Sequence, residues 1–296
     1  MSQTIQPDAP GVHPYLVLFG GIMAISTGAI FARIADAPSL VIAAYRVGIA
    51  SLLLAPIALF KSFDAFSQLT RKDVQQVVLA GAFLAMHFAT WISSLKFTTI
   101  ANSVVLVNMS PLWVGILAPL LTKEKTHPSM RVSIVLSIVG CVVIGSGDLV
   151  LGAHALWGDF LALLGGICTA GYLMLGKRIR QKHSLIVYVS LCYGSAAVFL
   201  WAIVLLLGLQ ITGFSGQTTA AFWGMALISQ IIGHSCYNWA LRYCSTAFVA
   251  LGLLGEPIGS TLLAYVLFHE GLTPAKSVGG LLILAAIYLA ARSEHQ

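Results

Sequence analysis

The chain has 296 residues, 58% of them hydrophobic and only 9% charged, where an ordinary soluble domain carries about 25% charged residues. Membrane-length apolar segments fill it so closely that no soluble catalytic or nucleic-acid-binding domain fits between them. The formal net charge of +6 therefore has to be read on the loops before it is read as a surface for a partner.

A spanning helix needs about 20 mostly apolar residues. Ten candidates follow in order: 15–32, 39–60, 74–95, 100–121, 131–147, 156–176, 184–207, 219–241, 246–268 and 277–291. The first eleven residues carry two prolines, Asp8 and no Lys or Arg; this is not the basic start of a signal peptide, so the first span is expected to be retained. A Gly-, Asp- and His-containing break at 145–157 separates two halves, and 208–219 is an uncharged polar loop. The five cysteines lie within or at the ends of spans with no CxxC pair, which suits small polarizable packing residues.

The halves repeat at an offset of about 145 residues. Gly20, Gly21, Ile22, Arg33, Ile34, Ser39 and Leu40 recur as Gly165, Gly166, Ile167, Arg178, Ile179, Ser184 and Leu185. One residue further offset, Leu95, Ala101, Pro111 and Glu124 recur as Leu241, Ala247, Pro257 and Glu270. Five spans per copy turn the second copy upside down, the pattern of a carrier with its site between halves. With the N-terminus inside, the inner loops hold Lys61, Arg71, Lys72, Lys123, Lys125, Arg131, Lys177, Arg178, Arg180, Lys182, Arg242 and Arg292, and the outer loops only Arg33, Lys96 and Lys276. That positive-inside bias places both termini in the cytoplasm. The expectation is an all-α polytopic membrane protein, ten transmembrane helices as two inverted five-helix repeats around a central cavity. Its parts are a tail at 1–14, repeats at 15–147 and 156–291, a loop at 148–155 and a tail at 292–296.

Each half ends alike: Ala101, Ser110-Pro111 and Lys123-Glu124 in the first, Ala247, Glu256-Pro257 and His269-Glu270 in the second, followed by Gly279-Gly280-Leu281. With Arg46 in the second span, this resembles the EamA branch of the drug/metabolite transporter superfamily, and within it the YddG-type exporters of aromatic amino acids. The resemblance covers about 15–291. It implies a ten-helix basket with a central cavity, export of amino acids or related metabolites, and a place in the bacterial inner membrane. Ser110 stands where the second half has Glu256, a departure that leaves any role of the carboxyl to one half.

Several residues stand out inside the spans. Pro111 and Pro257 sit near mid-span, where a missing N–H frees the carbonyls of Val107 and Leu253; a hinge and a static kink are both open. Glu256 lies about ten residues into its span, roughly 15 Å at 1.5 Å per residue. It could bind a substrate ammonium, take up a coupling proton, or hold a helix as a hydrogen-bonded acid. Arg46 could hold a substrate carboxylate, close an outside gate, or tie helices together. His87, Trp91 and Ser94 share a helix face, as do Gln230, His234, Tyr237 or Asn238, and Leu241; such a stripe lines a cavity or packs a core. Asn108 can bond a freed carbonyl of its own helix or reach a substrate. Tyr45, Trp91, Trp113, Trp157 and Tyr237 could stack on an aromatic side chain, although Trp157, at a span start, reads as an interfacial anchor. The candidate cavity is thus Tyr45, Arg46, His87, Trp91, Asn108, Trp113, His234, Tyr237, Asn238 and Glu256. The GxxxG pair Gly255–Gly259 is expected to serve internal packing.

No HExxH, GxSxG or GxxxxGK[ST] motif is present. No enzyme activity, metal or cofactor is expected, and an intramembrane enzyme is the remote alternative. The expected function is secondary transport exporting aromatic or hydrophobic amino acids by alternating access, from a monomer in contact with lipid and no nucleic acid, with proton coupling open. Another metabolite or a cationic drug is the alternative cargo.

Overall fold

The computed structural model describes residues 11–121, 127–146, 152–269 and 271–294. Lys123, Glu124, Lys125 and Glu270, residues 1–10 of the N-terminal tail, 148–151 of the inter-repeat loop and 295–296 lie outside them. The described residues form helices and no strand. In chain order these are α1 (Pro14–Ile25), α2 (Gly28–Ile34), α3 (Ser39–Ser67), α4 (Arg71–Ser94), α5 (Ile100–Val107), α6 (Ser110–Leu121), α7 (Pro128–Ser146), α8 (Ala153–Arg180), α9 (Leu185–Leu206) and α10 (Gly216–Gly224). A π-helical segment, Met225–His234, continues α10 into α11 (Ser235–Ala240), and α12 (Thr246–Leu253), α13 (Gly255–Phe268) and α14 (Pro274–Glu294) complete the chain.

Six stretches are long and apolar enough to cross a membrane: Pro14–Ile34, Ser39–Ser67, Arg71–Ser94, Ala153–Arg180, Leu185–Leu206 and Thr246–Phe268. Shorter apolar helices cover Asn102–Leu117, Pro128–Val143 and Ser277–Ser293. Their outer faces are as apolar as the core: Leu52, Phe60 and Leu206 are at least 76% exposed, as expected where hydrocarbon replaces water around a helix. Several helices run past the expected spans. The α3 helix reaches Ser67 through a non-helical Ser62, and α4 begins at a capping box in which Thr70 and Asp73 satisfy each other's backbone N–H.

The main helix pairings recur when the halves are exchanged. An offset of about 145 residues carries α1 onto α8, α3 onto α9, α4 onto the α10–π–α11 rod, α5 onto α12, α6 onto α13 and α7 onto α14. The pairs α3·α9 and α7·α14 map onto themselves. The pair α4·α8 maps onto α1 with the rod, and α5·α13 maps onto α12·α6.

Two features break this correspondence. Ser26 and Thr27 turn their hydroxyls back onto the carbonyls of Ile22 and Ala24, at 2.8 and 2.7 Å, and the chain breaks between α1 and α2 where α8 is continuous. The rod is π-helical where α4 is regular. The prolines also differ from expectation. The helices end at Val107 and Leu253 and restart at Ser110 and Gly255. Pro111 and Pro257 therefore lie in first turns, where a missing N–H costs nothing, and not inside a bent helix.

Close approaches close the basket. Gly255 and Gly259 face Ile22 and Ser26 of the first span, an internal contact. Gly166 on α8 lies against the freed end of α5: a Cβ there would come 2.8 Å from the carbonyl oxygen of Val107 and 3.2 Å from that of Leu106. Gly166→Ala should therefore force backbone apart and destabilise by about 1–3 kcal/mol. Gly20→Ala, with nothing within 4 Å of its Cβ, should not. Thermal unfolding in detergent checks this, and equal midpoints for the two variants would refute the contact.

Candidate functional site

The three helix breaks converge. A buried cavity of about 30 Å³ is lined by Ile25 at the end of α1, Val107 and Asn108 at the end of α5, Leu253 at the end of α12 and Glu256 at the start of α13. Arg46 of α3, His87 and Trp91 of α4, Thr169 of α8, His234 of the π segment and Tyr237 of α11 complete the wall. Val107 and Leu253, the last residues of the helices that stop ahead of Pro111 and Pro257, are thus both wall residues. The volume suits about one water, so the walls stand too close together here for a larger molecule.

Arg46 is 1% exposed. Its Nε donates to Gln230 Oε1 at 2.8 Å, and its guanidinium lies 4.1 Å from the Phe88 ring centroid and 5.8 Å from that of Trp91, a cation–π cradle. Glu256 is held from across the break. Asn108 donates one amide hydrogen to the Val104 carbonyl at 2.9 Å and the other to Glu256 Oε2 at 3.2 Å. Asn108 thus joins its own helix end to the charged start of α13. Arg46 and Glu256 share the cavity without forming an ion pair with each other.

The histidines are fixed on opposite walls. His87 Nδ1 lies 2.8 Å from Thr169 Oγ1 and 3.2 Å from the Gly165 carbonyl, and its ring stacks on Trp91 at 5.9 Å. His234 Nδ1 is hydrogen-bonded to the Tyr237 hydroxyl. With Arg46, Trp91, Asn108 and Glu256, these make seven of the ten sequence candidates that meet in the cavity.

Three lie elsewhere. Tyr45 points to the far end of the molecule, donating to the Ile211 carbonyl at 2.6 Å and stacking on Phe222 at 4.5 Å. Asn238 faces α8 and α9, donating to the hydroxyls of Tyr172 and Tyr193. Trp113 packs half-buried against the core. Thr169 is a cavity residue that sequence reasoning missed. A single threonine in an apolar helix carries no pattern, and the available signal was that its repeat counterpart is Ala24. Gln230 was recognised only as part of a stripe.

Polar contacts close both ends. At one end Asp73 accepts from the Thr70 N–H and hydroxyl at 3.1 and 2.7 Å. It also approaches Lys182 at 3.6 Å and His183 at 3.3 Å, tying the start of α4 to the α8–α9 loop. At the other end Lys96 donates to the Ala37 carbonyl at 3.1 Å, and the Asp36 N–H donates to Thr218 Oγ1 at 3.1 Å. Here two wider hollows of about 630 and 380 Å³ meet at Lys96.

The sequence pattern of the EamA-like transporter family matches residues 13–146 and again 156–292. An uncharacterized transporter of Archaeoglobus fulgidus is 24% identical over 222 residues, 74% of this chain and 76% of its own length. The uncharacterized transporter YyaM of Bacillus subtilis (strain 168) is 22% identical over 258 residues, 84% of this chain and 83% of its own. A solved crystal structure superposes with a TM-score of 0.76 over 95% of this chain and 97% of that one, at 18% identity, a likeness of fold.

The Asn108 bridge has a direct test. Asn108→Ala leaves a buried Glu256 oxygen without its amide donor, while the Val104 carbonyl keeps the backbone N–H of residue 108 at 3.2 Å, and should destabilise by about 1–3 kcal/mol. Ser110→Ala removes a buried hydroxyl with no partner among the described residues and should leave stability unchanged or slightly raised. Unfolding of both variants in detergent measures the difference, and an Asn108→Ala midpoint equal to that of Ser110→Ala would remove the bridge.

Proposed function

The chain belongs to the EamA-like transporter family, and from that premise we propose a secondary carrier that exports small metabolites, with aromatic and hydrophobic amino acids as its cargo. Its ten spans form two inverted halves in the bacterial inner membrane, both termini face the cytoplasm, and alternating access exposes the central cavity to each side in turn. The charge bias of the loops supports that orientation, and the packing that survives exchange of the halves supports the repeat.

One observation carries the cargo reading. Arg46 and Glu256 bring opposite charges into one aromatic-walled cavity without pairing to each other. A zwitterion with an apolar body satisfies such a site: a carboxylate toward Arg46, an ammonium toward Glu256, and a ring among His87, Trp91 and Tyr237. A cationic drug would leave the arginine facing a like charge, which argues for the zwitterion. Since the cavity holds about one water, loading requires the walls to part. The breaks at Ser26–Thr27, Asn108–Met109 and Leu254 are where the backbone can change angle without breaking a regular helix.

The test is counterflow in proteoliposomes with radiolabelled tryptophan or phenylalanine, competed by other amino acids and by amines, with and without a pH gradient. Exchange of aromatic amino acids is expected, and no exchange of any of them would sink the cargo assignment. Glu256→Gln should lower apparent affinity about tenfold or more, since a charge-assisted hydrogen bond contributes about 1.5–3 kcal/mol, with pH dependence unchanged. A variant that keeps its affinity but loses its pH dependence would make Glu256 the coupling group instead.

A further inference from the structure

Around Arg46 the structure holds hydrogen-bond donors in excess of acceptors. Arg46 spends Nε on Gln230 Oε1, while its Nη1 has no partner among the described residues. Gln230, fully buried, has given its acceptor to Arg46, and its Nε2 has no partner among the described residues. Trp91 is 3% exposed, and its Nε1 is unpartnered as well. The rings of Phe88 and Trp91 offset part of the cost of burying the positive charge, but they accept no conventional hydrogen bond from these nitrogens. Unmet buried donors cost about 1–3 kcal/mol apiece, and three residues on three different elements share the deficit.

We propose that Arg46, Gln230 and Trp91 form a carboxylate-binding subsite of the central cavity. The assignment rests on the transport reading only for the rest of the ligand; the subsite itself requires a carboxylate and nothing more. An ionised carboxylate accepts at two oxygens and about four lone-pair positions and donates nothing, so it meets the deficit without adding to it. It also matches the guanidinium in charge and in planar geometry. A hydroxyl or amide would bring donors of its own into a place already rich in them.

The elements explain why the donors gather here. Ser229 and Gln230 are consecutive in the π segment. Ser229 bonds Thr27 at the α1–α2 break, at 2.9 Å, while Gln230 bonds Arg46 on α3. One turn of the π segment therefore holds both the break and the arginine. Gly28, the first residue of α2, borders the space beside the unpaired nitrogen. A Cβ there would lie 3.5 Å from Arg46 Nη1, 3.4 Å from Trp91 Cη2 and 3.6 Å from Ser229 Oγ. These are ordinary contact distances, so Gly28→Ala fits the fold while placing a methyl group next to Arg46 Nη1.

Three ligands that differ only in their polar groups test the subsite on purified protein in nanodiscs: phenylalanine, 3-phenylpropanoate (no ammonium) and phenethylamine (no carboxylate). Wild type should bind the first two. Gly28→Ala and Trp91→Phe should each weaken both at least about tenfold, the effect of losing one or two hydrogen bonds to a charged group; Gly28→Ala should change phenethylamine less than about twofold, and Trp91→Phe, which also alters a ring wall, should weaken it by a smaller factor than the two carboxylates. Equal losses for phenethylamine, no wild-type binding of 3-phenylpropanoate, or tighter binding of inorganic phosphate would each overturn the subsite. Binding of 3-phenylpropanoate that depends on Gly28, without aromatic amino acid counterflow, would uphold the subsite and refute the amino acid cargo. Counterflow indifferent to Gly28→Ala and Trp91→Phe would do the reverse. Trp91→Phe, which keeps a ring in place, decides the matter should Gly28→Ala fail to fold.

Discussion

The architecture depends on one constraint: a backbone carbonyl freed in the middle of a membrane must be satisfied or covered by the protein itself. Breaking a helix there exposes polar groups that water cannot reach. This chain breaks three times at the same place, and two of the breaks are served by side chains and close packing of the molecule itself. Ser26 and Thr27 return their hydroxyls to the carbonyls of their own turn. Asn108 caps Val104 with its side chain. Gly166 lets α8 lie directly against the end of α5. The cavity is what remains where these three ends meet, so the site follows from the breaks and needs no separate scaffold.

The packing obeys an exchange symmetry that the cavity does not. Pro111 and Pro257 correspond, and so do the helix ends they follow. Glu256, however, corresponds to Ser110, and Thr169 to Ala24. The two features that depart from the common backbone, the break at Ser26–Thr27 and the π segment, face each other through the Thr27–Ser229 contact. A chain with two equivalent halves would present equivalent groups from both sides of the cavity. Here Arg46 with Gln230 and Glu256 with Asn108 form separate centres of opposite charge, which would give the proposed zwitterion a defined orientation.

Much of this was legible in the residues, and the failures have physical causes. Repeat and apolar segments follow from composition, because membrane helices need length and apolarity more than detailed pattern. His87 and Trp91 were found because helical spacing puts residues four apart on one face. The same geometry explains two misses. Tyr45 precedes Arg46, and Asn238 follows Tyr237; neighbours on a helix point about 100° apart, so only one of each pair can face the cavity. The prolines were read as interior kinks because sequence shows the missing N–H but not where the preceding helix stops. Gln230 entered only as one member of a regular stripe, and the π segment changes which of its neighbours share a face.

That local winding links the site to motion. Gln230 holds Arg46 from α3, and Ser229, beside it, holds the break in the first span. Any rearrangement that opens α1 from α2 must move Ser229 or lose its bond to Thr27, and moving Ser229 shifts Gln230 and the donors around Arg46. On the other side, Asn108 joins the end of α5 to Glu256 at the start of α13, so movement at that break displaces the carboxylate. Each charge of the cavity is therefore tied by one amide side chain to one broken helix. A ligand that bridges Arg46 and Glu256 would couple the two breaks, because it can hold both charges only in conformations that bring both helix ends to the cavity. Its differential affinity for those conformations is what a carrier needs to convert binding into a change of access.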